Sequence, residues 1–189
     1  MTKAVIRVAE LDDAVDVARI KIASWRIAYV GIVPDAVLDG LDDIRMAATW
    51  SDMIEKPPPR TGVLVAELPS ETQDKPAVVG FTQYAPLRTA SRDAAPDQDL
   101  GEITTLYVEP PFQRRGIGRQ LLKAAFARLA VLGLTRVRLW SLAENKAGNA
   151  FYQRCGGRAA ETAELAFGGT RLVEIAYDWP APATVRDEH

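Results

Sequence analysis

The segment Gln113-Arg114-Arg115-Gly116-Ile117-Gly118 restricts the fold more than any other stretch, because it joins an apolar strand to a long amphipathic helix. Upstream, residues 100–109 read as a strand closed by Pro110-Pro111. Downstream, Ile117, Leu121, Leu122, Ala125, Leu129 and Leu132 recur on one helical face that ends at Gly133. A helix entered this way leaves its first amides unpaired, with the positive end of its dipole facing outward. Gly116 and Gly118 present no Cβ to an approaching anion, while Arg114, Arg115 and Arg119 add cationic density suited to a pyrophosphate. Two rival phosphate loops fail on their own rules. A Walker loop needs lysine and then serine or threonine, and Arg119-Gln120 follows Gly118 here. A dinucleotide-binding loop wants a small residue three positions after its second glycine, where Leu121 stands.

The remaining chain supplies a sheet for this unit. Residues 5–9 read as an opening strand, and Leu11, Ala14, Val15, Ala18, Ile22, Trp25 and Tyr29 form one apolar helical stripe. Asp12 and Asp13 sit where a helix start favours negative charge. Pro34 and Gly40 interrupt, and a second helix runs from Asp42 or Asp43 towards Glu55 until Pro57-Pro58-Pro59. Residues 62–68 and 78–85 are valine-rich strands joined by a polar turn, and a loop follows through residues 88–99. Residues 135–141 read as a strand, 146–155 as a short helix, and two closing strands flank Gly168-Gly169. This order predicts an α/β (α+β) architecture, a mixed sheet with helices packed on it. A chain of 189 residues suits one domain, taken as residues 1–180, with 181–189 as a disordered tail.

Charge and rare residues narrow the chemistry. A net charge of −2 provides no field for nucleic acid or anionic membrane. The N-terminus lacks the apolar core of a signal peptide, and residues 121–134 are too short to span a bilayer, so the expected location is cytoplasmic. Cys155 is the single cysteine and His189 the single histidine, at the very end of the chain. Serine–histidine and cysteine–histidine pairs and metal sites are therefore not expected. Proton transfers must use carboxylates, tyrosine, amines or water.

With these residues in place, the chain resembles the GNAT superfamily of acyl-CoA-dependent N-acetyltransferases. Gln113-Arg114-Arg115-Gly116-Ile117-Gly118 matches each fixed position of that family's signature, and Asn145 through Gly157 continues the likeness, with Phe151-Tyr152 as its aromatic pair. Gly148 stands where alanine is usual, and Gly157 where many members have phenylalanine. The resemblance implies a single GNAT-like domain of about seven strands in which strand 100–109 splays from strand 135–141. Acetyl-CoA would enter that wedge, its pantetheine arm pairing with main-chain groups of Leu106, Tyr107 and Val108. The loop Gln113, Arg114, Arg115, Gly116, Ile117, Gly118 and Arg119 would hold the pyrophosphate, and Asn145 would contact the cofactor from the opposite wall. No metal is implied, and relatives that pair through sheet edges leave a homodimer open.

The implied reaction is acetyl transfer to an amine. An alkyl amine has a pKa of about 10.4, so stripping its proton at neutral pH costs on the order of 4 kcal/mol. A carboxylate supplies this directly or through water, and Glu102 on the strand leading into the loop is the candidate base; its alternative is a polar residue on a half-exposed strand. In the family, the tyrosine matching Tyr152 protonates the departing thiolate; packing is its alternative, although Phe151 is the expected packing residue. Cys155 reads as a buried, inert thiol. Trp25, Tyr29 and the loop at 88–99 are candidates for the acceptor site, with core packing open for the two aromatics. The expected acceptor is a small-molecule primary amine; a peptide or protein amine, or a non-catalytic acyl-CoA-binding module, stands beside it.

Overall fold

Strands in this chain alternate residues that suit two different cores. In β2 (Gly62–Leu68), Leu64 and Ala66 face one cluster while Val63 and Val65 face another. The computed structural model describes residues 4–69, 75–87 and 99–185. Within them, β1 (Val5–Val8), β2, β3 (Ala77–Pro86), β4 (Leu100–Val108), β5 (Arg136–Leu142), β6 (Arg158–Phe167) and β7 (Thr170–Trp179) form one sheet in the order β1-β2-β3-β4-β5-β7-β6. The β4–β5 neighbours are parallel and every other pair is antiparallel. Their parallel course follows from the long crossover between them, which contains α4 (Ile117–Val131).

One face of the sheet carries α4 and α5 (Lys146–Arg154), the other α1 (Ala14–Ala28) and α3 (Asp43–Glu55). Leu121, Leu122 and Leu129 of α4 are fully buried against Val79, Ile103, Val137 and Tyr177. Burial of each such leucine stabilises by about 1.5–3 kcal/mol. On the opposite face, Val17 and Ile20 of α1 and Trp50 of α3 pack on Val63, Val65 and Phe81. Asp42 caps α3 by accepting from the Arg45 amide at 2.7 Å.

The structure departs from the sequence reading in several places. The first helix begins as a 3-10 turn, Leu11–Asp13, because Asp13 accepts from the Glu10 amide at 2.7 Å and from Arg7 at 2.6 Å. It ends at Ala28, leaving Tyr29 in the following turn. A short helix, α2 (Asp35–Asp39), follows Pro34, which sequence reading took only as a break. The double proline starts a further 3-10 turn, Pro110–Phe112. In the segment read as a tail, the Ala183 amide donates to Thr135 at 2.8 Å, and Ala183 and Val185 pack on the α4 core. Residues 186–189, with His189, and loop residues 88–98 lie outside the described residues.

Candidate active site

The site begins where two parallel strands part. β4 and β5 pair over three rungs, Leu100↔Arg136, Gly101↔Val137 and Glu102↔Arg138. Beyond Glu102, β4 continues against β3 alone as far as Gly80↔Val108, while β5 follows β7 as far as Leu142↔Glu174. A wedge opens between residues 103–108 and 139–142. The β3–β4 register slips between Gln83 and Tyr84, making Thr104 an extra residue. Its hydroxyl donates to Gln83 Oε1 at 2.7 Å. Such a bulge bends and twists its strand, and this one lies at the origin of the wedge. The β5-facing edge of Leu106, Tyr107 and Val108 therefore has no strand opposite it.

The loop after β4 leads from the end of that strand into the first turn of α4. Arg114 (φ 61) and Gly116 (φ 79) both adopt left-handed backbone ahead of α4, the kind of conformation from which nests of successive N–H groups are built. A Cβ at Gly116 would meet nothing within 4 Å, so the torsion rather than crowding selects glycine there. Gln113 Nε2 donates to the Val108 carbonyl at 2.9 Å; its side chain thus shapes the loop. Arg115 donates to the Pro111 carbonyl at 3.1 Å and stacks on Phe112 at 5.3 Å. Arg114 is exposed and Arg119 half-buried at the first turn of α4, which Ile117 anchors in the core.

On the opposite wall, Asn145 caps α5, its Oδ1 accepting from the Gly148 amide at 3.1 Å. A Cβ at position 148 would come within 2.6 Å of Asn145 Nδ2, which accounts for glycine in place of alanine. Asn149, one turn on, donates to the Leu142 and Ala143 carbonyls, each at 3.0 Å, and ties α5 to the end of β5. Sequence reading passed over this residue. Tyr152 is buried beside Tyr177, ring centroids 5.7 Å apart. Phe151, expected to be the packing residue, is the less buried of the two, because Asn149, Tyr152 and Cys155 share the inner face of α5. Phe151 instead leans on the first turn of α4, 3.3 Å from where a Gly118 Cβ would stand. Burial foremost, then the neighbouring Tyr29, Cys155 and Tyr177, pushes the Tyr152 phenol well above its ordinary pKa, so it stays protonated and able to donate.

The α1-facing side is aromatic and phenolic. Gly101 lies against Leu129 of α4 and Ile103 enters the same core, so alternation turns Glu102 to the α1 face. Trp25 Nε1 donates to the Tyr107 hydroxyl at 2.9 Å, and the Trp25 and Tyr29 rings meet edge-on at 4.9 Å. Both aromatics are half-buried and pack with Leu142 and Leu172, so they are packing residues that also adjoin β4. Burial raises the Tyr107 and Tyr29 phenols; for Tyr29, hydrogen bonding with Tyr107 opposes this, the Glu174 charge adds to it, and Asn145 opposes it. Tyr29 thus connects Tyr107 of β4 to Asn145 at the α5 wall. Glu174 on β7 is raised by burial and then by the charge of Glu102. Its only trace in the sequence is its place in the alternation of a strand.

Comparison with known proteins decides what this arrangement belongs to. A model of the acetyltransferase (GNAT) family matches residues 29–157. The chain belongs to the GNAT family. It is therefore an acetyltransferase, and the strand-loop-helix unit lies inside the matched region. The uncharacterized N-acetyltransferase YuaI of Bacillus subtilis is 29% identical over 175 residues, covering 93% of this chain and 92% of that one. A phosphinothricin acetyltransferase from Sinorhizobium meliloti, solved in complex with acetyl-CoA, shares the fold with a TM-score of 0.67 at 19% identity, over 96% of this chain and 89% of that one. The PaiA N-acetyltransferase of Thermoplasma acidophilum, solved with coenzyme A, has a TM-score of 0.64 at 17% identity, over 91% of this chain and 97% of that one. Among the described residues, no group of three or more His, Cys, Asp or Glu side chains is placed to hold a metal, and no helix is long and apolar enough to cross a membrane.

Proposed function

We propose that this acetyltransferase moves an acetyl group from acetyl-CoA directly to a primary amine of a small molecule. The observation that carries the reading is the parting of β4 from β5 just beyond Glu102, ending at a nest of amides. Leu106, Tyr107 and Val108 offer the open strand edge to the pantetheine arm, and the amides of residues 114–119 hold the pyrophosphate together with Arg114, Arg115 and Arg119. Asn145 meets the arm from α5. The acetyl-CoA and coenzyme A bound in the Sinorhizobium and Thermoplasma proteins support this placement.

The acceptor arrives as an ammonium and surrenders one proton to the carboxylate side, where Glu102 draws it directly or through water. The freed lone pair forms the C–N bond at the thioester carbonyl, and the C–S bond breaks. Tyr152 gives its proton to the departing sulfur, and the surplus proton on nitrogen restores the phenol. The net change is ammonium plus acetyl-CoA to acetamide, coenzyme A thiol and one released proton. Trp25 and Tyr29 border the acceptor. Thiol release measured with acetyl-CoA across small amines and peptides tests the substrate class. Amine-dependent release on small molecules is expected; release with peptides alone would overturn the small-molecule reading.

A further inference from the structure

Carboxylates set into this fold meet arginines. Arg7 holds Asp13 at 2.6 Å and Glu67 at 2.5 Å, Arg138 holds Asp178 at 2.7 Å, and Arg19 holds Glu109. Glu174 departs from that pattern. It is half-buried, yet among the described residues no cation pairs with it; burial and then the charge of Glu102 raise its carboxyl, and its own charge acts on Tyr29. A carboxylate drawn partly out of water without a counter-charge costs free energy, and such groups concentrate at functional sites.

Its place in the sheet shows which site. Ile175, Tyr177 and Trp179 of β7 point into the α4 core, so alternation turns Leu172 and Glu174 to the opposite face. Leu172 there packs with Trp25, Tyr29 and Leu142, and Leu142 is the cross-strand partner of Glu174. Glu102 points to the same face from β4, at the last rung before the strands part. The two carboxylates therefore share this face with β5 between their strands, Glu102 at the rung of Arg138 and Glu174 opposite Leu142 further along β5, and the charge of Glu174 acts on Tyr29. Asp178, also on this face, is closed off by Arg138.

We infer that Glu174 is a second carboxylate in the proton path of the acetyl-transfer site, the group on which the proton that Glu102 draws from the acceptor ammonium comes to rest. This rests on the amine-acetylation reading above. In the step, the proton that Glu102 draws from the ammonium passes on to the Glu174 carboxylate, leaving free amine, ionised Glu102 and a carboxylic acid at Glu174. The amine then forms the C–N bond as the C–S bond breaks, Tyr152 protonates the sulfur, and the surplus proton on nitrogen restores the phenol. Glu174 returns its proton to water once the acetamide has left. Burial and the Glu102 charge raise the Glu174 carboxyl, which brings a base closer to the working pH.

The test compares Glu174→Gln with the unaltered chain on two acceptors of similar size at neutral pH. One is an alkylamine, almost wholly protonated; the other is a hydrazide or alkoxyamine that is already unprotonated. Glu174→Gln is expected to lose about 10²–10⁴ in kcat on the alkylamine and to stay within about threefold on the weak base. The KM for acetyl-CoA and the thermal shift it induces stay unchanged, and Glu174→Asp recovers part of the alkylamine rate. Equal loss on both acceptors marks a structural role and overturns the inference, as does no loss on either. If the unaltered chain acetylates neither acceptor, amine acetylation itself fails, a result distinct from any behaviour of the variant.

Discussion

Tyr152 offers a substitution that separates chemistry from packing. Its ring is buried among Tyr177 and Phe151, while its hydroxyl is the group the proposed transfer uses. Tyr152→Phe keeps the ring and removes the donor, so acetyl-CoA affinity stays within a few-fold while kcat falls by about 10²–10⁴. Because burial raises the Tyr152 phenol, it remains a donor across the neutral and mildly alkaline range, and no loss of rate from its ionisation is expected there. Unchanged kcat in Tyr152→Phe, by initial rates at saturating amine, would return the residue to packing alone. Tyr152 and Glu102 were legible as candidates because each stands at a fixed distance from a recognisable motif. Glu174, Asn149 and the Tyr107 hydroxyl were not. Strand alternation tells which face a residue occupies, but what lies across a wedge depends on where β4 and β5 part, and no residue announces that rung.

At the scale of elements, the cradle depends on three pieces meeting at Gly118. The end of β4 contributes Val108, α4 its first turn, and α5 the ring of Phe151, which a Gly118 Cβ would approach to 3.3 Å. Two substitutions divide steric from electrostatic effects. Gly118→Ala displaces Phe151 by a few tenths of an ångström and should keep most of the rise in melting temperature that acetyl-CoA induces. Gly118→Asp adds a negative charge at the helix N-terminus where the proposal sets the pyrophosphate and should abolish that rise. Thermal melting with and without acetyl-CoA checks both; an undiminished rise in Gly118→Asp would remove the nest as the phosphate site. The α4 stripe was readable because its apolar period is long, and Ile117, Leu121, Leu122, Ala125 and Leu129 are all buried. α2 was not, since five residues make little more than one turn and leave no period to detect. The Thr104 bulge was hidden for a similar reason: a single extra residue in a strand changes the register without changing composition.

At the scale of the molecule, a sheet with helices on both faces supports each wall of the wedge through its own helix. α4 is bolted to β4 through Gly101 and Ile103, while α5 is tied to β5 and β7 through Asn149 and the Trp179 indole, which donates to the Cys155 carbonyl at 3.1 Å. In the proposed reaction donor and acceptor meet in one opening and the acetyl group passes directly between them. Cys155, the single cysteine, is fully buried on the inner face of α5. Cys155→Ala should therefore keep most of the activity. The most direct measurement incubates the protein with isotope-labelled acetyl-CoA, first alone and then with amine, while thiol release and the masses of protein and amine are followed. The account predicts no protein-bound label and no thiol before the amine is added. After addition, label should appear on the amine in step with the thiol released. Label trapped on the protein, or a chain that binds acetyl-CoA and passes its acetyl group to no amine or peptide, would contradict it.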